Sequence, residues 1–230
     1  MRKMFALASI VATLIGCVGT LEESPGADDV ARDVTTPQWY PKGPYGTAVG
    51  DTVENAVFQG KSDTNADGSL TDESLRTIQL SDFARHGTSK TEVLLLTTCA
   101  QWCVPCNQEQ GNLVALWQSY QASHPDQVKF VSVMADDIRF NAPTELTLNQ
   151  WGNHSWYASS TGTYVKIPYD LVIDPHAQTF VKYEDEPAYP FHLVVRAKGM
   201  TIAAKIAGAN LDEVQAAIDA VLAEPNSSQQ

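Results

Sequence analysis

Positive charge is in short supply. Of 230 residues, 15 are lysine or arginine against 27 aspartate or glutamate, a formal net charge of -12. No basic stripe offsets the excess, which argues against a nucleic-acid surface, because phosphate neutralisation needs clustered cations. Neither a P-loop nor a G-x-G-x-x-G run occurs, so the usual backbone cradles for nucleotide phosphates are missing. The five histidines are scattered, without H-E-x-x-H or similar metal-binding spacing. No internal repeat is visible. Cysteine is scarce too: there are four, and three of them fall within the stretch CAQWCVPC, Cys99 to Cys106.

The remaining cysteine, Cys17, closes an N-terminal pattern. Arg2 and Lys3 precede an apolar run from Met4 to Ile15, which is too short for a comfortable membrane span and has signal-peptide length. Leu14-Ile15-Gly16-Cys17 resembles a bacterial lipobox. The resemblance implies cleavage after residue 16, lipidation of Cys17, and an anchor that holds a domain at a membrane without crossing it. Val18 rather than aspartate after the cysteine implies the outer membrane, with the domain in the periplasm. In that oxidising compartment the three cysteines left over make a pair and one spare thiol.

Four regions follow. Residues 1–16 read as signal peptide, 17–40 as lipidated cysteine and acidic tether, 41–90 as an N-terminal extension, and 91–230 as the core. The extension carries a candidate strand at Val53 to Gln59 and a second short segment from Thr77. From Glu92 the pattern becomes α/β. Glu92 to Thr98 is a continuous apolar run of buried-strand type, and residues 104–123 carry Leu113, Leu116, Trp117 and Tyr120 at helical spacing. Gln127 to Ala135 reads as a second buried strand and Thr144 to Trp151 as a helix. Strands are expected at Tyr169 to Ile173, Phe191 to Arg196 and Thr201 to Ala207. A last helix runs from Leu211 to Leu222, capped by Asn210. This order predicts three layers around a central mixed sheet.

Two pairings compete within CAQWCVPC. Cys103 and Cys106 have the C-x-x-C spacing of a redox couple, while Cys99 and Cys103 have a C-x-x-x-C spacing suited to copper. The context, a strand passing into a helix, favours redox chemistry. A thiolate at a helix N-terminus is stabilised by unpaired amides and the positive end of the dipole, so Cys103 is expected to be exposed and nucleophilic. Cys106, one turn on, can attack the resulting mixed disulfide. Pro105 suits a first helical turn.

Trp102-Cys103-Val104-Pro105-Cys106 after an apolar strand resembles the thioredoxin superfamily. The wider pattern is similar to its bacterial envelope redoxins, a branch related to cytochrome-maturation thiol–disulfide oxidoreductases and to alkyl hydroperoxide reductase/thiol-specific antioxidant proteins. Thr77 to Phe83 resembles the segment ahead of their first core strand, and Pro190 to Val195 followed by Gly199 resembles their late proline, strand and turn. The resemblance implies a thioredoxin-like three-layer α/β fold with a central mixed sheet and an N-terminal extension. It implies exchange with protein thiols and disulfides of the cell envelope through Cys103 and Cys106, with no cofactor beyond that disulfide. It also implies a cis-proline beside the pair. Pro168 and Pro190 both qualify, and Pro190 is preferred because only a hairpin and a terminal helix follow it. Trp102, Pro105, Tyr189 and Pro190 would then line the substrate groove, with the backbone at Tyr189 pairing to an extended substrate segment.

The pattern departs from the family in places. Thioredoxins carry a buried aspartate where this chain has Thr97, which leaves Glu109, Asp136 and Asp137 as candidate proton acceptors. The threonine of the peroxidatic motif, three residues before its cysteine, is replaced at all three options by Leu96, Ala100 and Cys103. Peroxidase chemistry is therefore disfavoured. Cys99 reads as a buried small hydrophobe. The copper alternative, a metallochaperone, would use Cys99, Cys103 and His192. Asp63, Asn65, Asp67 and Gly68 resemble half of a calcium loop, but Ser74 stands where a bidentate glutamate belongs, and an Asx-rich turn is the simpler reading. Trp151 to Tyr157 is an aromatic loop attributed to packing.

Overall fold

The computed structural model describes residues 36–225. The signal peptide, the lipidated Cys17 and most of the tether lie outside the described residues. The expected end of the tether at residue 40 needs correction. Tyr40 is buried, and its hydroxyl donates to the Val53 carbonyl at 2.9 Å, so the aromatic ring already belongs to the fold.

Strands β1 (Val57–Lys61), β2 (Arg76–Gln79), β3 (Val93–Ala100), β4 (Val128–Asp136), β7 (Asp170–Ile173), β8 (Phe191–Arg196) and β9 (Thr201–Ala207) form one seven-stranded sheet in the order β2-β1-β7-β4-β3-β8-β9. Contacts β3–β4 and β4–β7 are parallel and the others antiparallel, which makes the sheet mixed. Helices α1 (Val104–Ser123), α2 (Glu145–Asn153) and α3 (Leu211–Leu222) follow β3, β4 and β9. The Asn210 side chain accepts from the Glu213 amide, as an N-cap does. The first strand begins four residues later than the sequence suggests. Val53 is buried outside the sheet, its amide donating to the Met200 carbonyl at 2.8 Å.

All eight residues of β3 are buried, as expected for a strand flanked on both sides and covered on both faces. Its side chains alternate. Val93, Leu95 and Cys99 join a core shared with Leu113 and Val114 of α1, Leu148 and Trp151 of α2, and Val214 and Ile218 of α3. Leu94 and Leu96 join a second core with Tyr40, Leu80, Phe83, Phe180 and Tyr183. The third layer is thus not helical. The N-terminal extension and short 3-10 turns at Leu80–Phe83 and Val181–Tyr183 supply it. Each leucine held this way contributes about 2 kcal/mol of apolar burial.

A small hairpin of β5 (Trp156–Ala158) and β6 (Thr163–Val165) packs on α1 and was not expected from sequence. Trp156 lies 4.6 Å from Trp151, ring centre to ring centre, so the two buried tryptophans of the aromatic loop serve packing, while Tyr157 is exposed. Gly111 of α1 lets the hairpin approach: a Cβ there would collide with the backbone carbonyl of Tyr157. Gly111→Ala should therefore force α1 and the hairpin apart and lower stability by about 1–3 kcal/mol. A urea-unfolding midpoint equal to wild type would show that the hairpin yields freely.

Candidate active site

The site forms where β3 gives way to α1. The pairing of β3 with β4 slips between Cys99 and Ala100, and the chain turns out of the sheet, with the Cys103 amide donating to the Ala100 carbonyl at 3.1 Å. Cys103 is the N-cap of α1, and its sulfur accepts from the Cys106 amide at 3.1 Å. Pro105 sits in the first turn, where a missing N–H removes no helical bond. The Asn107 side chain donates to the carbonyls of Gln101 and Cys103, which pins the turn to the helix.

Cys103 and Cys106 form a disulfide with Cα atoms 5.3 Å apart. Cys103 was expected to be exposed, yet it is 2 % exposed and Cys106 3 %. The walls of an adjoining groove shield it. That groove, of about 550 Å³, is lined by Trp102, Cys103, Val104 and Pro105 on one side and by the 181–189 segment, Tyr189 included, on the other. The Tyr189–Pro190 bond is cis, while Ile167–Pro168 is trans.

Aromatic rings shape the mouth of the site. Trp102 stacks on Phe140 at 5.0 Å and meets Tyr189 edge-on at 5.7 Å. Its indole N–H donates to Asp136 Oδ2 at 3.1 Å, and Asp136 Oδ1 lies 2.6 Å from His176 Nδ1. Asp136 is thereby committed to holding the tryptophan. Asp137 is half-buried and caps a turn through the amides of Arg139 and Asn141; these bonds hold its carboxyl below the usual range. Sequence reasoning missed Phe140, His176 and Glu184. None belongs to a motif: the loop after β4 brings Phe140 to Trp102, and the loop after β7 brings His176 to Asp136 and Glu184 to the groove.

Beneath the disulfide lies a buried polar chain. His192 of β8 is 0 % exposed, with Nδ1 3.1 Å from the Thr97 hydroxyl and Nε2 3.0 Å from Glu109 Oε1. Glu109 stands one helical turn after Cys106, on the buried face of α1. Its contact with His192 is short but misaligned, and neither carboxyl oxygen has a hydrogen-bond partner among the described residues. Cys99 is free and buried, with its sulfur directed at the Val133 carbonyl at 3.7 Å. Burial, reinforced by the charge of Glu109, pushes its thiol well above the usual range. Cys99 is therefore inert in the sense expected of a packed cysteine.

The copper set of Cys99, Cys103 and His192 does not assemble. Cys103 is committed to Cys106, and both His192 nitrogens face Thr97 and Glu109. No group of three metal-binding side chains occurs among the described residues. Asp63, Asn65 and Asp67 form a closed Asx turn instead: Asp63 accepts from the amides of Asp67 and Gly68, and Asp67 accepts from that of Ser69. Glu73 turns back to the amide and hydroxyl of Thr64.

Comparisons with known proteins agree with this fold. Solved structures of the same fold include the mitochondrial 2-Cys peroxiredoxin of Plasmodium falciparum, with 14% identity, TM-score 0.53, and coverage of 80% of this chain and 99% of that one. The AhpC of Enterococcus faecalis has 14% identity, TM-score 0.54, and coverage of 79% and 96%. A candidate thiol:disulfide interchange protein DsbE from Chlorobium tepidum has 18% identity, TM-score 0.51, and coverage of 76% and 98%. At these identities the likeness is one of fold. No curated protein matches the chain by sequence. The profile of the AhpC/TSA family matches residues 62–204, a span that holds the redox pair, the cis-proline and most of the sheet. The chain belongs to the AhpC/TSA family.

Proposed function

We propose that this thiol–disulfide oxidoreductase exchanges its Cys103–Cys106 couple with protein partners of the bacterial envelope, tethered through a lipid on Cys17. The observation that carries the reading is the disulfide at the N-terminus of α1, opening onto a groove bounded by a cis-proline segment. The anchor and its outer-membrane address rest on the N-terminal pattern alone.

In the reducing direction the Cys103 thiolate attacks one sulfur of a partner's disulfide. That S–S bond breaks, a Cys103–partner bond forms, and the displaced thiolate takes up a proton. Cys106 then gives its proton to Glu109 and attacks the Cys103 sulfur, releasing the second partner thiol. Two electrons have passed to the partner, and the Cys103–Cys106 disulfide is restored. An external thiol reductant resets it, and the same steps reversed oxidise a partner. The Cys106 amide that now meets the Cys103 sulfur would stabilise the attacking thiolate. No cofactor enters. The environment under the pair, with Thr97 and Glu109 in place of a single aspartate, sets its potential.

Titration of the full chain in glutathione buffers, with thiol trapping, tests the proposal. The expected result is one reversible two-electron couple lost in Cys103→Ser and Cys106→Ser alike and retained in Cys99→Ser. No reversible couple between Cys103 and Cys106 would end it.

A further inference from the structure

The groove beside Cys103 is mostly apolar, walled by Val104, Pro105, Val181, Pro187 and the rings of Trp102 and Tyr189, yet one carboxylate, Glu184, lies in its lining. Glu184 Oε2 accepts only a long bond from the Ala188 amide, at 3.4 Å. Its Oε1 is buried with no hydrogen-bond partner among the described residues. Burial pushes the carboxyl above the usual range, only partly offset by the Ala188 amide. The lysines bordering this loop are engaged elsewhere: Lys182 holds Glu54 at 2.9 Å and Lys205 holds Asp185 at 2.6 Å. Glu186, exposed two residues on, adds negative charge beside the groove.

A carboxylate oxygen taken from water with no donor is destabilising, and a partner that supplies the donor recovers that energy on binding. An apolar slot beside one unsatisfied acid therefore favours an extended segment carrying a cation among uncharged residues. The negative charge at the rim likewise favours encounter with a cationic partner. We propose that Glu184 is the specificity-determining residue of this groove and selects protein substrates that present lysine or arginine next to the reactive cysteine. This rests on the redox function proposed above. The substrate's basic group would pair with Glu184 while its cysteine sulfur meets Cys103, so the gain appears in the rate of mixed-disulfide formation.

The test uses the reduced full chain and three peptides that differ only in the residue beside a single cysteine: lysine, glutamine or glutamate. Each is presented as a mixed disulfide with thionitrobenzoate, whose release is followed by absorbance. Rates are divided by those of the same probes with dithiothreitol, which removes their intrinsic reactivity. The lysine probe should react about 10-fold faster than the glutamate probe, the lower bound for a charge-assisted bond. Glu184→Gln should bring the ratio near one, while Glu186→Gln, outside the groove lining, should keep most of it. Equal rates in wild type, or a ratio that survives Glu184→Gln, would overturn the inference and leave the redox reading standing. Loss of the ratio in Glu186→Gln alone would overturn it in favour of diffuse charge. Failure of all three probes to react would remove the redox reading, and this inference with it.

Discussion

Replacing Cys106 with serine should leave the first half of exchange intact and abolish the second. Cys103 remains the N-cap of α1, with the amide of residue 106 still aimed at its sulfur, so the thiolate keeps its stabilisation. With no resolving thiol, each encounter with a partner disulfide ends as a covalent Cys103–partner adduct. Turnover should fall by about a thousandfold or more, the scale seen when one member of a catalytic unit is removed, and adducts should accumulate on non-reducing gels. Cys103→Ser should lose turnover equally and form no adducts. Cys99 does not rescue either variant, because burial and the neighbouring Glu109 disfavour its thiolate. Mass spectrometry locates the adduct. A partner bound to Cys99, or turnover surviving in Cys106→Ser, would contradict the assignment of roles.

The elements that support this chemistry are those most legible in the sequence. β3 reads as a strand because it is apolar throughout, and α1, β8, β9 and α3 coincide with their expected spans because periodicity, caps and turns agree there. The redox pair and the cis-proline are legible because few residue types serve at those positions. The rest depends on tertiary contact. The cover over Leu94 and Leu96 consists of single aromatics such as Tyr40, Phe83 and Phe180, placed by irregular chain that has no period to detect. The three-residue strands β5 and β6 are too short for alternation, and two of their tyrosines, Tyr157 and Tyr164, face solvent. Glu184 opens the acidic run Glu184-Asp185-Glu186, and only the fold reveals that one of its oxygens is buried. Three acids near the pair, Glu109, Asp136 and Asp137, were equivalent on paper. The fold separates them by occupation: Asp136 holds Trp102 and His176, Asp137 closes a turn, and Glu109 alone is buried one turn below Cys106.

That separation yields the second large effect. Glu109→Gln preserves shape and volume but removes the proposed proton acceptor, a role Thr97 cannot fill. The attack by Cys103 precedes any demand on Glu109, so release of the first leaving thiol should proceed at the wild-type rate. Resolution by Cys106 should slow by about 10²-fold or more, the usual contribution of a positioned base. A pre-steady-state experiment with the reduced chain and a protein disulfide distinguishes the phases: an unchanged burst followed by a slow second step, with mixed disulfide accumulating between them. The slow step should recover as rising pH deprotonates Cys106 directly, since hydroxide then does what the carboxylate did. A merely structural role predicts otherwise. The amide introduced by Glu109→Gln would disturb His192 and the β8 strand that carries it away from Pro190, slowing both phases together with no recovery at high pH. The ratio of the two phases, rather than the overall rate, therefore decides whether the buried Glu109–His192 pair takes part in proton transfer or only in packing.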